Sequence, residues 1–97
     1  MKCRVVYLPE AEIDSTIIHL NLRQFLGKAA ARFRGSMRRK LSAVKENPQI
    51  YERYRYRPQY RCLPLEKYLL FYEVDEKQKI VYIFRILHGA QDVASYL

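Results

Sequence analysis

Residues 68–87 read Tyr-Leu-Leu-Phe-Tyr-Glu-Val-Asp-Glu-Lys-Gln-Lys-Ile-Val-Tyr-Ile-Phe-Arg-Ile-Leu. Two apolar, aromatic and β-branched runs, Tyr68 to Val74 and Ile80 to Leu87, flank the polar connector Asp75 to Lys79. Such runs joined by a short polar segment predict two antiparallel strands. Just upstream, Tyr60 to Leu65 forms a third extended run, tied to the second by Leu65-Glu66-Lys67. Pro64 has no N–H for a ladder, which places the end of that run at a sheet edge or bulge. The three runs predict an antiparallel meander.

The N-terminal half has a different period. Cys3 to Leu8 reads as a strand, and Pro9 with Glu10 and Glu12 marks a helix start, where a missing N–H and negative charge are both favourable. Ile13, Ile17 and Leu20 recur at helical spacing and predict an apolar face. Gly27 interrupts the pattern. A second helix follows, with the stripe Ala30, Phe33, Met37, Leu41 and Val44, and Asn47-Pro48 ends it because the residue before proline is driven out of the helical region. The apolar stripes of both helices are expected to pack on one sheet face and leave the other free. The prediction is an α+β domain over residues 1–97, with an N-terminal strand, a helical hairpin, a three-stranded meander and a short tail that could hold a turn or two of helix.

With 97 residues the chain has room for one core. No apolar run approaches the ~20 residues of a membrane span, and Met1 to Tyr7 lacks the apolar core of a signal peptide. Cys3 and Cys62 are too few for a disulfide framework or a metal cluster. A reduced, cytoplasmic protein with no membrane partner and no cofactor is expected. The net charge of +8 is concentrated: eleven basic residues and two acids lie between Lys28 and Arg61, whereas the rest carries seven and eight. Arg32, Arg34, Arg38, Arg39 and Lys45 fall largely off the apolar stripe of the second helix, and Arg53, Arg55 and Arg57 alternate with tyrosines 51, 54 and 56. This patch attracts an anionic partner, nucleic acid or an acidic protein segment. The tyrosines are either stacking platforms or anchors of a loop to the core.

Few residues can carry chemistry. His19 sits among aliphatics and reads as structural or surface. His88 follows the strongest strand, where it either titrates near neutral pH in function or closes the sheet by a hydrogen bond. Arg85 interrupts that same apolar strand and must be paired or face solvent. It pairs with Asp92 or Glu73, or faces a phosphate or carboxylate, and the roles can coexist.

The order of elements, Asn47-Pro48 closing the second helix, Tyr60-Arg61-Cys62-Leu63, Tyr68 to Asp75, and above all Arg85-Ile86-Leu87-His88-Gly89-Ala90-Gln91-Asp92 resemble the RelE/ParE toxin superfamily of bacterial type II toxin–antitoxin systems. The last segment is similar to the superfamily's Arg-x-Leu-His-Gly-x-x-Asp ending, and the likeness spans nearly the whole chain. It implies a cytoplasmic toxin held inactive by a small acidic antitoxin that wraps it, with oligomers formed through that antitoxin. RelE-like members cut mRNA on the ribosome without a metal, and ParE-like members poison DNA gyrase. For a nuclease, the resemblance implies Arg61 and Arg85 on the phosphate and His88 or Tyr96 in proton transfer. Leu63, Leu69 and Gln91 stand where further cations are expected, and Gly89 where a tyrosine often follows the histidine. Losing one cation that stabilises developing charge costs on the order of 10²–10³ in rate. The ParE-like branch is therefore favoured, with Arg32, Arg38, Arg39, Arg53, Arg55, Arg57, Arg85, His88 and Asp92 as the expected target or antitoxin surface. A reduced nuclease and a decayed binding module are the alternatives.

Overall fold

The computed structural model describes residues 2–25 and 27–97. In chain order it contains β1 (Arg4–Tyr7), α1 (Pro9–Phe25), α2 (Gly27–Glu46), β2 (Arg53–Tyr54), β3 (Arg57–Leu65), β4 (Tyr68–Asp75), β5 (Ile80–His88) and a 3₁₀ turn (Val93–Tyr96). The predicted meander is β3-β4-β5, antiparallel throughout. β1 adds to it in parallel beside β5, so that the sheet runs β1-β5-β4-β3-β2. Two details differ from the sequence reading. The third run extends back to Arg57, and the short strand β2 pairs with it through Arg53–Arg61 and Tyr54–Arg57. Neither shows a period, because two residues of strand are too short to display one. Pro64 lies on β3 beyond the reach of β2, where no outer neighbour needs its N–H.

The helices form as expected, but α1 is turned over. On α2 the stripe Ala30, Phe33, Met37, Leu41 and Val44 is buried in full, and Ser36 is buried with it. On α1 the predicted face points outward: Ile13, Ile17 and Leu20 are 57%, 51% and 54% exposed. The core instead takes Ala11 and Ile18, with Leu22 packed against them. The helix carries apolar residues on two opposite sides, and the small Ala11 side allows the closer approach to β5. The choice is locked by Asp14, described below.

A second correction concerns the free sheet face. Leu63, Leu65, Leu70, Tyr72, Ile83 and Ile86 meet the helices, while Tyr60, Phe71, Leu87 and Val93 are buried on the other side. Tyr54 lies edge-on to Phe71 at 4.9 Å between centroids, and Tyr60 stacks on Phe84 at 4.6 Å. Leu97 packs on the same cluster. The tail is held there by Arg57, which donates to the carbonyl of Ala94 at 3.5 Å. The far face is thus a second small core, roofed by the C-terminal turn and the β2 segment.

Candidate functional site

Arg85 decides how the molecule is pinned together. β1 covers β5 only as far as Ile83, whose carbonyl accepts from Leu8. Beyond that point the edge of β5 is bare, and Asp14 of α1 takes the place of the missing strand. Its Oδ2 accepts the N–H of Ile86 at 3.0 Å. The same carboxylate holds the Arg85 guanidinium at two points, Nε to Oδ2 at 2.7 Å and Nη2 to Oδ1 at 3.0 Å. Glu10, one helical turn earlier, accepts from Nη1 at 3.1 Å. The side chains of Arg85 and Asp14 are only 17% and 12% exposed. The hydrogen bond to Asp14 draws the Arg85 pKa upward against burial, which keeps the guanidinium charged. The expected partners Asp92 and Glu73 are replaced by two acids more than seventy residues away in the chain, which no local spacing reveals.

Of the inferred nuclease set, Arg61 and His88 do not converge on that point. Arg85 and Tyr96 touch, the guanidinium lying 5.8 Å from the ring centre. Arg61 is cross-strand from Tyr72 on the helix side of the sheet, whereas Arg85, across from Phe71, turns round the bare edge of β5 to reach α1. Arg61 donates to the carbonyl of Tyr51 at 2.8 Å and lines an open cleft of about 770 Å³ with Arg53, Glu73, Asp75, Glu76 and Lys77. Tyr72 closes the floor of this cleft. Its hydroxyl donates to the Pro48 carbonyl at 2.8 Å, and burial pushes its pKa up to about 12, so near neutrality it stays protonated and is no base.

His88 lies elsewhere again, in a groove with Leu22, Arg32, Phe33, Lys67 and Tyr68. Its Nδ1 accepts the N–H of Ala90 at 3.1 Å, which leaves Nε2 as the outward nitrogen, and its ring is edge-on to Tyr68 at 5.3 Å. Gly89 next to it has a reason in packing. Its N–H donates to the Lys67 carbonyl at 2.9 Å, and a Cβ there would stand 3.3 Å from that oxygen. Asp92 starts the terminal turn through its carbonyl, which accepts from Ser95, and its side chain is not used as a cap. His19 is structural as read: its Nδ1 meets the Ser15 carbonyl at 2.7 Å and its ring packs edge-on to Phe33.

The basic residues form a surface. Arg38 and Arg39 are exposed on α2 with no ion-pair partner among the described residues, and Arg32 has only a loose contact to Glu66 at 3.9 Å. Around β2, Arg53 donates to Pro58, Arg57 to Tyr56, and Arg55 lies 5.7 Å from the Tyr56 ring centre. Tyr51 and Tyr54 are loop anchors packed on the two cores, whereas Tyr56 is 59% exposed. Among the described residues, no group of three or more His, Cys, Asp or Glu is placed to hold a metal ion, and no helix is long and apolar enough to cross a membrane.

Cys62 is the half-buried thiol on the far face, and burial pushes its pKa up to about 11 from the ordinary 9.0. Only the thiolate attacks, and its greater nucleophilicity offsets part of its scarcity, so alkylation of Cys62 at pH 8 is expected to run about 10-fold slower than that of an unperturbed thiol. Iodoacetamide labelling followed by peptide mass mapping measures it. A rate equal to that of free cysteine would contradict the packing around the thiol.

The family model described as the ParE toxin of the type II toxin–antitoxin system, parDE, matches residues 5–93. Among solved structures, the chromosomal ParDE system of P. aeruginosa is similar at 19% identity and a TM-score of 0.71, over 89% of this chain and 95% of that one. An arginine-to-alanine double mutant of E. coli toxin RelE in the free state is similar at 19% identity and a TM-score of 0.67, over 99% and 93%. The toxin–antitoxin complex RelBE2 of Mycobacterium tuberculosis is similar at 17% identity and a TM-score of 0.61, over 91% and 99%. No curated protein is similar at a significant level. At these identities the structures speak for the fold alone. The family model follows the sequence from β1 to the terminal turn, and by that match the chain belongs to the ParE toxin family of type II toxin–antitoxin systems.

Proposed function

We propose that this toxin acts in the cytoplasm by binding DNA gyrase rather than by cutting RNA, and that a cognate acidic antitoxin neutralises it. The observation that carries this reading is the dispersal of the inferred nuclease set. Cleavage by a 2′-hydroxyl needs a base, an acid and cations around one phosphate, within hydrogen-bond reach of each other. Here Arg85 is spent on Asp14 and Glu10, Arg61 is bound to the Tyr51 carbonyl in a cleft of its own, and His88 opens into a separate groove. Leu69 stands where a further cation would be needed, and it packs on the far-face cluster. What is left for function is a docking surface: Arg32, Arg38 and Arg39 on α2 and Arg53, Arg55 and Arg57 around β2, with His88 and Asp92 at the end of the sheet. A basic helix whose Arg38 and Arg39 have no ion-pair partner among the described residues suits an acidic antitoxin segment, or a target that holds DNA.

Tightly controlled expression with two readouts tests this. The expected result is growth arrest with gyrase-trapped, broken DNA and intact message. Cleaved message on ribosomes with intact DNA would overturn the proposal. The variant Tyr96→Phe is expected to remain toxic, whereas a nuclease dependent on that hydroxyl would lose activity by about 10²-fold or more.

A further inference from the structure

The outward face of α1 has no role in the fold or in the proposed docking surface. Ile13, Ile17 and Leu20 lie along one line of the helix, each more than half exposed, and beside them Pro9, Glu12 and Thr16 border a shallow groove. Three aliphatic side chains in a row expose on the order of a few hundred Å², the size at which an apolar patch on a monomer calls for an occupant.

We propose that this occupant is a second copy of the chain, its α1 antiparallel to the first across a two-fold axis near Ile17. At 3.6 residues per turn, Glu12, Thr16 and Arg23 fall on one flank of the apolar line, and Glu10 and Asn21 on the other. A two-fold axis brings like flanks together and reverses their order. Ile13 of each copy therefore meets Leu20 of the other, and Glu12 of each meets Arg23 of the other. The contact is isologous and closes after two copies. Its charges complement themselves without any outside partner. A parallel pairing would instead bring opposite flanks together, setting Glu12 of each copy beside Glu10 of the other, and would align two helix dipoles.

Charge also decides against an acidic partner at this face. α1 carries Glu10, Glu12 and Asp14 against a single Arg23, whereas α2 carries seven basic residues and one acid. An acidic segment is drawn to α2 and repelled by the start of α1. Asp14 and Glu10 are already committed to Arg85, which leaves Glu12 as the acid free to reach across. One helix pair is small beside the roughly 1,200–2,000 Å² of a standard interface, so a reversible dimer with a Kd in the micromolar range is expected.

Sedimentation of the purified full chain over a concentration series tests the proposal. The wild type is expected to shift from monomer to dimer with rising concentration, and Ile17→Glu, at an exposed site, to remain monomeric while still folded. Glu12→Arg and Arg23→Glu each place like charges across the axis and are expected to weaken dimerisation by about 10-fold. Mixed together, those two variants carry opposite charges at both contacts and are expected to pair at least as well as the wild type. A monomer at every concentration, a dimer indifferent to Ile17→Glu, or a mixture that pairs no better than its components would each overturn the proposal. The first result, combined with loss of antitoxin capture by Ile17→Glu, would assign the stripe to the antitoxin instead.

Discussion

Replacing Phe71 with alanine is expected to cost about 3–5 kcal/mol of stability, the usual penalty for emptying a buried aromatic site. Phe71 is fully buried although it faces away from the helices. Tyr54, Tyr60, Leu87 and Val93 close around it, and the tail that brings Val93 is tied to Arg57. A domain of this size has only about 5–15 kcal/mol in all. The variant should therefore be marginal, with a urea midpoint as low as that of Phe33→Ala, which empties the helix-side core. Equilibrium unfolding of the two variants side by side measures this. Were the far face an open working surface, Phe71→Ala would lie within about 0.5 kcal/mol of the wild type.

The second large effect is expected at Asp14. Asp14→Ala leaves the Arg85 guanidinium with only the exposed Glu10 and strips the Ile86 N–H of its acceptor. Exposed pairs are worth little and fully buried ones cost 3–5 kcal/mol to break, so this largely covered pair is expected to cost about 2–4 kcal/mol. For a domain of this length that lowers Tm by roughly 10–25 °C. Asp14→Asn keeps an oxygen for Ile86 and should lose less. In a double-mutant cycle, Arg85→Ala in the Asp14→Ala background should cost far less than in the wild type, because its main partner has gone. Additive losses would show that the two residues act separately. The same result bears on function. Loss of toxicity in Arg85→Ala is expected to follow from a weakened α1–β5 joint, so that variant is no test of catalysis.

Much of the fold was legible because its elements are strongly periodic. The stripe of α2, the proline at the start of α1, and the runs of β4 and β5 each carry a local signal that tertiary context did not reverse. The last segment, Arg85 to Asp92, was legible as a family resemblance, yet its parts serve packing as much as chemistry. Arg85 joins strand to helix, His88 holds the backbone of Ala90, and Gly89 clears the Lys67 carbonyl. The candidate site was less legible. Arg61, Arg85 and His88 are spaced so that a sheet could gather them, and only the tertiary contacts reveal that Arg85 turns to α1 while Arg61 and His88 line separate clefts.

By itself the sequence determined the kinds of element, their order, the concentration of positive charge in the middle third, and the likeness to a toxin family. These are properties of neighbours in the chain: period, punctuation and local charge. Tertiary structure alone decided which of two apolar sides of α1 is buried, what covers the far face of the sheet, and which acids hold Arg85. Each of those depends on partners far apart in sequence. Asp14 and Arg85 are separated by 71 positions, and their attraction acts only once β5 and α1 lie side by side. A helix with two apolar faces has no local reason to prefer either. The ion pair and the bare edge of β5 supply that reason, and in doing so they leave Ile13, Ile17 and Leu20 facing outward.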